Sequence, residues 1–125
     1  MIYLRIDAKS PIRSKQSINV QKGLTNNFPD IVFELHDGCK YLDLGDNYYV
    51  SAAVTSTYNE SDSFKGTIRV LNPHRGQIVV TPSFSDFKES GINTLTVLCD
   101  YGEGSISFQT TIFVQSIADS LKDCL

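Results

Sequence analysis

Residues 94–115 of this chain read TLTVLCDYGEGSISFQTTIFVQ, and this stretch decides the fold class. Two runs in it alternate apolar and polar residues with a period of two, and the tight turn Gly102-Glu-Gly104 separates them. Alternation of this kind is typical of β-strands with one buried face, so the stretch predicts an antiparallel hairpin. Its predicted inward residues are Leu95, Val97, Cys99 and Tyr101, followed by Ile106, Phe108, Thr110, Ile112 and Val114.

The same period-two pattern recurs upstream of the hairpin. It predicts strands at residues 2–7, 18–20, 31–35, 48–57, 67–71 and 78–80. Turn-forming residues separate them, most clearly at Asp37-Gly38 and at residues 72–76. No segment is long enough to be the crossover helix that parallel sheets usually need. We therefore expect one domain, residues 1–125, folded as an all-β, antiparallel sandwich with a core that includes Phe33, Leu35, Val54, Ile68, Leu95, Val97, Phe108 and Ile112.

Two short segments have helical periodicity. Phe84, Phe87 and Lys88 predict one helical turn within residues 83–91. Residues 116–125 predict a short C-terminal helical tail, along which Ile117, Leu121 and Leu125 form an apolar stripe. A helix this short is marginal in water, so packing must order it. We expect this stripe to be an interface, either with a second copy in a homo-oligomer or with another protein.

Charge and cysteine content exclude several classes of function. The chain has 11 basic and 14 acidic residues, so it lacks the basic footprint of a nucleic-acid-binding protein. No apolar run approaches the roughly 20 residues that span a bilayer. The three cysteines, Cys39, Cys99 and Cys124, are widely spaced and predict neither a zinc site nor a disulfide framework. We expect no nucleic-acid or membrane partner, and a reducing compartment.

The residues that commonly carry catalysis or bind metals form no known pattern. Both histidines, His36 and His74, fall in predicted turns, and no G-x-S-x-G motif accompanies them. Asp37, Asp43 and Asp46 share one loop region, where turn formation is the usual role of aspartate. We expect no catalytic residue, no metal ligand, no cofactor and no enzymatic activity.

Three tyrosines have two possible roles. Tyr48, Tyr49 and Tyr58 can form an exposed aromatic patch that binds a sugar or a protein. They can also be strand residues that pack on the core of the domain. The second role is the more common one, and we expect it here.

The order of several motifs resembles a known family. A strand at Ile31-Val-Phe-Glu-Leu35 is followed by a turn, by Tyr41-Leu-Asp-Leu44 and by a strand at residues 49–56. Asn72-Pro-His-Arg-Gly76 then precedes a short strand and a small helix, and Gly91 precedes the final hairpin. This order resembles the N-terminal domain of phage baseplate upper proteins, a module of tailed phages and of prophages in Gram-positive bacteria.

The resemblance covers residues 18–120 and implies an Ig-like sandwich. It also implies a non-enzymatic structural component of a phage or prophage tail or baseplate, assembled in the bacterial host cytoplasm and located in the virion. Its partners would be other tail or baseplate proteins. Members of the family commonly continue into a long helix and further domains, so the chain is either a stand-alone protein or the N-terminal part of a longer one. The alternative function is an Ig-like or carbohydrate-binding module that recognises a protein or glycan ligand.

Overall fold

The computed structural model describes residues 2–7, 18–22, 28–56, 64–83, 86–87, 91–102 and 104–116. These residues contain nine strands and a short 3-10 helix at Pro73–Arg75. The strands are β1 (Ile2–Asp7), β2 (Ile18–Lys22), β3 (Ile31–Asp37), β4 (Lys40–Tyr41), β5 (Tyr48–Ser56), β6 (Thr67–Asn72), β7 (Gln77–Thr81), β8 (Gly91–Tyr101) and β9 (Gly104–Ser116). The period-two segments of the sequence therefore form strands, as predicted. The described residues include no helix with the length and apolar character needed to cross a membrane.

The strands form two sheets, which confirms the predicted all-β sandwich. Sheet A has the order β1-β3-β7-β6, with β4 beside β3, and sheet B has the order β2-β9-β8-β5. If β1, β3, β5, β6, β7, β8 and β9 are equated with Ig strands A to G, these orders contain the ABED and GFC arrangements of an Ig domain. Strand β2 is an additional strand on the outer side of β9.

Two of the strand pairs are parallel, which the antiparallel prediction did not include. Strand β1 runs parallel to β3, with Ile2 beside Ile31 and Asp7 beside His36. Strand β2 runs parallel to β9. Parallel neighbours need a long connection. The connection from β1 to β3 is long because the chain first crosses to sheet B, where it forms β2, and then returns to sheet A. The remaining strand pairs in the described residues are antiparallel.

The inner faces of the two sheets form one hydrophobic core. Of the eight predicted core residues, Ile68 is partly buried and packs against the core, and the other seven are buried. The rings of Phe33 on sheet A and Phe108 on sheet B lie 4.9 Å apart between centroids, inclined at 58°. Phe28 and Phe87 stack with centroids 5.2 Å apart. Large side chains thus join the two sheets directly.

Backbone hydrogen bonds hold the segment after β4 against sheet A and the 3-10 helix. Leu42 N donates to Leu35 O at 2.9 Å, and Leu44 N donates to Pro73 O at 2.8 Å. Both leucines are buried, so they anchor an otherwise polar connection. Gly76 ends the 3-10 helix at a φ of 59°, and a β-carbon there would lie 2.7 Å from Leu42 O. Only glycine fits this left-handed and crowded position.

One aspartate joins two connections on sheet A. Asp86 Oδ1 accepts a hydrogen bond from Lys65 N at 2.7 Å, and Asp86 Oδ2 accepts from Gly66 N at 3.1 Å and from Ser83 N at 2.9 Å. Asp86 N also donates to Ser83 O at 2.9 Å. This last bond lies in the segment where the sequence predicts a helical turn, and Phe87 beside it is buried. Phe84 and Lys88 lie outside the described residues.

Candidate protein interface

The predicted C-terminal interface lies outside the part of the chain that the structure describes. Ile117, Leu121 and Leu125 follow the end of β9 at Ser116, the last described residue. The short C-terminal helix and its apolar stripe therefore stay predictions.

His36 lies in strand β3 and is buried, so its predicted position in a turn is wrong. Strand β3 continues to Asp37 because it forms a hairpin with β4, and the turn is Gly38-Cys39. His36 Nε2 donates to Glu34 Oε1 at 2.7 Å, and Gln77 Nε2 donates to Glu34 Oε2 at 3.0 Å. The hydrogen bond from Gln77, helped by the bond and charge of His36, lowers the pKa of Glu34. This group stabilises the outer face of sheet A.

An arginine continues this polar group along the sheet. The Arg75 guanidinium lies 4.6 Å from the centroid of the Tyr41 ring, and Arg75 Nη2 donates to Tyr41 Oη at 2.7 Å. The His36 and Tyr41 rings lie 5.0 Å apart between centroids. All three side chains are thus engaged in contacts with one another or with Glu34.

The second histidine has a local structural contact. His74 is exposed in the 3-10 helix, and its Nδ1 donates to Asp43 Oδ1 at 3.1 Å. The same carboxylate oxygen accepts from Gly45 N at 2.9 Å, which is the turn-forming role predicted for this loop. The hydrogen bond from Gly45, followed by the bond from His74, lowers the pKa of Asp43. Within the described ranges, no three His, Cys, Asp or Glu residues form a group that could hold a metal ion.

The two cysteines that the structure describes differ in exposure. Cys99 is buried on the inward face of β8, and burial, with a smaller effect from the charge of Asp100, raises the pKa of its thiol to about 11. Cys39 is exposed in the β3–β4 turn. Cys124 lies outside the described residues.

The outer face of sheet A carries several charged residues. Val32 and Val79 point away from the core, yet their side chains are buried. Charged residues alternate along the neighbouring outward positions; these are Arg5, Asp7, Glu34 and Arg69. This face has the composition of an ordinary solvated sheet surface.

The outer face of sheet B is different. Fourteen residues of sheet B have described side chains that point away from the core. They are Tyr49, Ser51, Ala53 and Thr55 on β5, Ile92, Thr94, Thr96, Leu98 and Asp100 on β8, and Ser105, Ser107, Gln109, Thr111 and Phe113 on β9. Asp100 is the single charged residue among them. We call this set the sheet B face.

Several large apolar side chains on the sheet B face are exposed to solvent. Tyr49 is 67% exposed, Ile92 63%, Leu98 49% and Phe113 41%. Ile92 and Phe113 are direct cross-strand neighbours. Loss of charge together with exposed aromatic and aliphatic side chains is typical of the centre of a protein–protein interface. The sheet B face is therefore the best candidate interface in the described part of the chain.

The prediction that the tyrosines pack on the core is wrong for the two that the structure describes. Tyr48 is 41% exposed and Tyr49 is 67% exposed. Tyr49 alternates with the inward residues Val50 and Val54, so it points outward. Tyr58 lies outside the described residues.

Sequence reasoning did not identify the sheet B face, although a signal for it is present. The inward positions of the predicted hairpin indicate the core, whereas its outward positions indicate the exposed face. The outward positions from 92 to 98 and from 105 to 113 hold Ile, Leu, Phe, Thr, Ser and Gln and no charged residue. That composition on a solvent-facing strand surface is the signal.

No protein-family model and no curated protein matches this sequence. These comparisons therefore assign the chain to no family. The functional interpretation depends on the sheet B face and on the order of motifs in the sequence.

Proposed function

We propose that this chain is a non-enzymatic structural component of a phage or prophage tail or baseplate, which docks other tail or baseplate proteins through the sheet B face. The proposed location is the virion, after assembly in the bacterial host cytoplasm. The observation that supports docking is the contrast in charge between the two sheets. The outward positions of sheet A include Arg5, Asp7, Glu34 and Arg69, whereas the sheet B face has one charge and four exposed large apolar side chains. The order of sequence motifs supports the phage context.

The size of the sheet B face suits a stable contact. The three strands that form this face lie about 4.8 Å apart, and with a rise of about 3.4 Å per residue over roughly ten residues they cover roughly 490 Å². Specific interfaces bury about 800 Å² per partner. A partner that covers this face therefore reaches more than half of the usual interface size, and contacts at the rim would add to it. The Ser and Thr residues between the apolar side chains can supply hydrogen bonds in such a contact.

A carbohydrate-binding function is the second candidate, and one observation favours it. Tyr49 pairs with Asp100 across β5 and β8, which places an exposed aromatic ring beside an exposed carboxylate. Aromatic rings and carboxylates commonly contact sugar rings and their hydroxyl groups. Glycan-array binding that disappears in Tyr49→Ala, in a protein that still assembles normally, would favour this function.

Genetic complementation tests the structural proposal. In the native phage or prophage, the gene is deleted and a copy is supplied with either Leu98→Lys or Leu71→Lys. Leu98 lies on the sheet B face and is 49% exposed, whereas Leu71 lies on β6 of sheet A and is 48% exposed, so the two substitutions are matched in chemistry and exposure. Circular dichroism and thermal unfolding of the purified variants show whether both fold equally well.

We expect Leu71→Lys to restore infectious particles and Leu98→Lys to fail, because a buried unpaired charge disrupts an apolar interface. We also expect mass spectrometry to find the chain in purified wild-type particles. Restoration by both variants would contradict docking through the sheet B face. Absence of the chain from purified particles would contradict the virion proposal.

A further inference from the structure

Strand β5 is the outer strand of sheet B. It pairs with β8 over its full nine residues, from Tyr48 beside Tyr101 to Ser56 beside Asn93, without a shift in register. Among the described strands, β8 is its one partner. The backbone edge of β5 that faces away from β8 therefore has no strand beside it in the described structure.

The sequence of β5 lacks the features that usually prevent edge strands from pairing. It reads YYVSAAVTS, with no charged residue, no proline and no glycine. Natural proteins block exposed edges with charges, prolines or bulges, because an unprotected edge pairs with another strand. A regular, uncharged strand of this length is suited to receiving another strand.

The outer strands of sheet A provide an internal comparison. Strand β6 carries Arg69, has an irregular register between Val70 and Asn72, and is followed by Pro73. Strand β1 carries Arg5 and Asp7. Both edges of sheet A thus have at least one of the usual protections, whereas β5 has none.

We propose that β5 strands of two copies of this chain pair antiparallel about a twofold axis and join two copies of sheet B into one continuous sheet. The inference concerns the edge of sheet B rather than its face, so it goes beyond the proposed function. A twofold axis normal to the sheet keeps the inner faces of both copies on one side. It therefore pairs residues of the same parity along β5.

The residues of β5 favour a second copy as the occupant. Pairing centred on Ala52 extends from Tyr49 to Thr55 and places Ser51 beside Ala53 of the second copy. Val50 then lies beside Val54, with both side chains toward the core, and Tyr49 lies beside Thr55, with both outward. Small residues occupy the centre, and no like charges face each other. Like charges directly opposite each other destabilise a strand pair, and a strand that carries charges can place them in this way when it pairs with its own copy.

The dimer would change what the sheet B face can do. Two four-stranded sheets would form one eight-stranded sheet, a size that open sheets commonly reach. Because the axis is normal to the sheet, both sheet B faces would point in the same direction. A bivalent surface of this kind binds a repeated partner more tightly than one copy does, without any new type of contact.

Charge reversal at the centre of β5 tests this proposal. One double variant carries Ser51→Lys and Ala53→Lys, and the other carries Ser51→Glu and Ala53→Glu; both positions face outward, so the core is unchanged. The control carries Ser105→Lys and Ser107→Lys on β9, which lies on the same face but two strands from the edge. Sedimentation velocity and light scattering give the mass of each protein, and circular dichroism checks its fold.

We expect the wild type and the control to form a dimer of twice 13.9 kDa. In each β5 variant, two pairs of like charges would face each other across the axis, lysine with lysine or glutamate with glutamate. The dissociation constant of the dimer should therefore rise by about tenfold or more. An equimolar mixture of the two β5 variants should restore the dimer, because lysine then faces glutamate at both positions.

Three outcomes would overturn the proposal. The first is a wild type that stays monomeric up to roughly 1 mM, where even a weak dimer is populated. The second is a lysine double variant in β5 that folds and dimerises as well as the wild type. The third is a dimer that the β9 control abolishes, since this would place the contact on the sheet B face rather than at its edge. The complementation experiment with Leu98 and Leu71 does not depend on any of these results.

Discussion

Replacement of Phe108 by alanine is expected to remove a large part of the stability of this protein. The side chain is 1% exposed, and its ring contacts the ring of Phe33 across the two sheets with centroids 4.9 Å apart. A buried Phe→Ala substitution costs about 3–5 kcal/mol, because it removes apolar burial and leaves a cavity. Small proteins have a free energy of unfolding of about 5–15 kcal/mol, so the loss is at least about a fifth of the total.

The matched control for this prediction is Phe113→Ala on the same strand. Phe113 points outward and is 41% exposed, so its replacement should cost about 1 kcal/mol or less. Urea unfolding followed by circular dichroism measures both variants, and an unchanged dependence on urea concentration shows that stability alone has changed. Similar losses for the two variants, or a larger loss for Phe113→Ala, would refute the assignment of the faces of β9.

Four further outcomes are expected. Thr110→Val should raise the free energy of unfolding by about 1–2 kcal/mol in urea titration, because the buried Thr110 hydroxyl has no hydrogen-bond partner in the described structure; a loss of stability would show that it has one. Asp86→Ala should lower it by about 2–4 kcal/mol, because three backbone N–H groups lose a charged acceptor, and a loss below about 1 kcal/mol would contradict this role. The lowered pKa of Glu34 in the folded protein means that its contribution to stability is present at neutral pH and is lost as the pH falls through the carboxyl range; Glu34→Gln should therefore lose less stability than the wild type between pH 7 and about pH 3, and equal losses would contradict the assignment. At about pH 8, a thiol reagent should modify Cys39 in the folded protein and leave Cys99 unmodified until the protein unfolds, because burial raises the pKa of Cys99 to about 11; equal rates of modification would contradict this.

Local alternation was sufficient to predict most strands of this fold. The hairpin of β8 and β9 follows from two long period-two runs around a glycine turn, and both its pairing and its inward residues are confirmed. Long runs of this kind define which residues point inward, since a shift in register by one residue would expose the whole apolar face. The core residues Phe33, Leu95 and Phe108 were predictable for the same reason.

Features that depend on distant parts of the chain were not predictable from local patterns. The parallel pairing of β1 with β3 depends on the placement of β2 in the other sheet, which no residue of β1 indicates. The local sequence places His36 in a turn, because the Asp37-Gly38 signal marks a turn but not its first residue. In the structure, pairing with β4 extends β3 through Asp37. Burial of the outward Val32 likewise depends on neighbours that alternation does not reveal.

The candidate interface was only partly predictable. The C-terminal stripe of Ile117, Leu121 and Leu125 was inferred from helical spacing, and it stays a prediction. The sheet B face was readable in principle from the uncharged outward positions of the last hairpin. Its extent depends on the order of the strands in sheet B. Because β5, β8 and β9 are neighbours there, their outward positions form one surface on which Asp100 is the single charged residue.

Hydroxyl-radical footprinting of the assembled native particle tests the central claim most directly. Oxidation of side chains is compared between the free chain and the chain in purified tails or baseplates, by mass spectrometry of its peptides. We expect protection of Tyr49, Leu98 and Phe113 on the sheet B face in the particle, while Tyr3 and Leu71 on sheet A, which are 63% and 48% exposed, stay oxidised at the rate of the free chain. Unchanged oxidation of the sheet B residues, or protection of the sheet A residues alone, would contradict docking through the sheet B face.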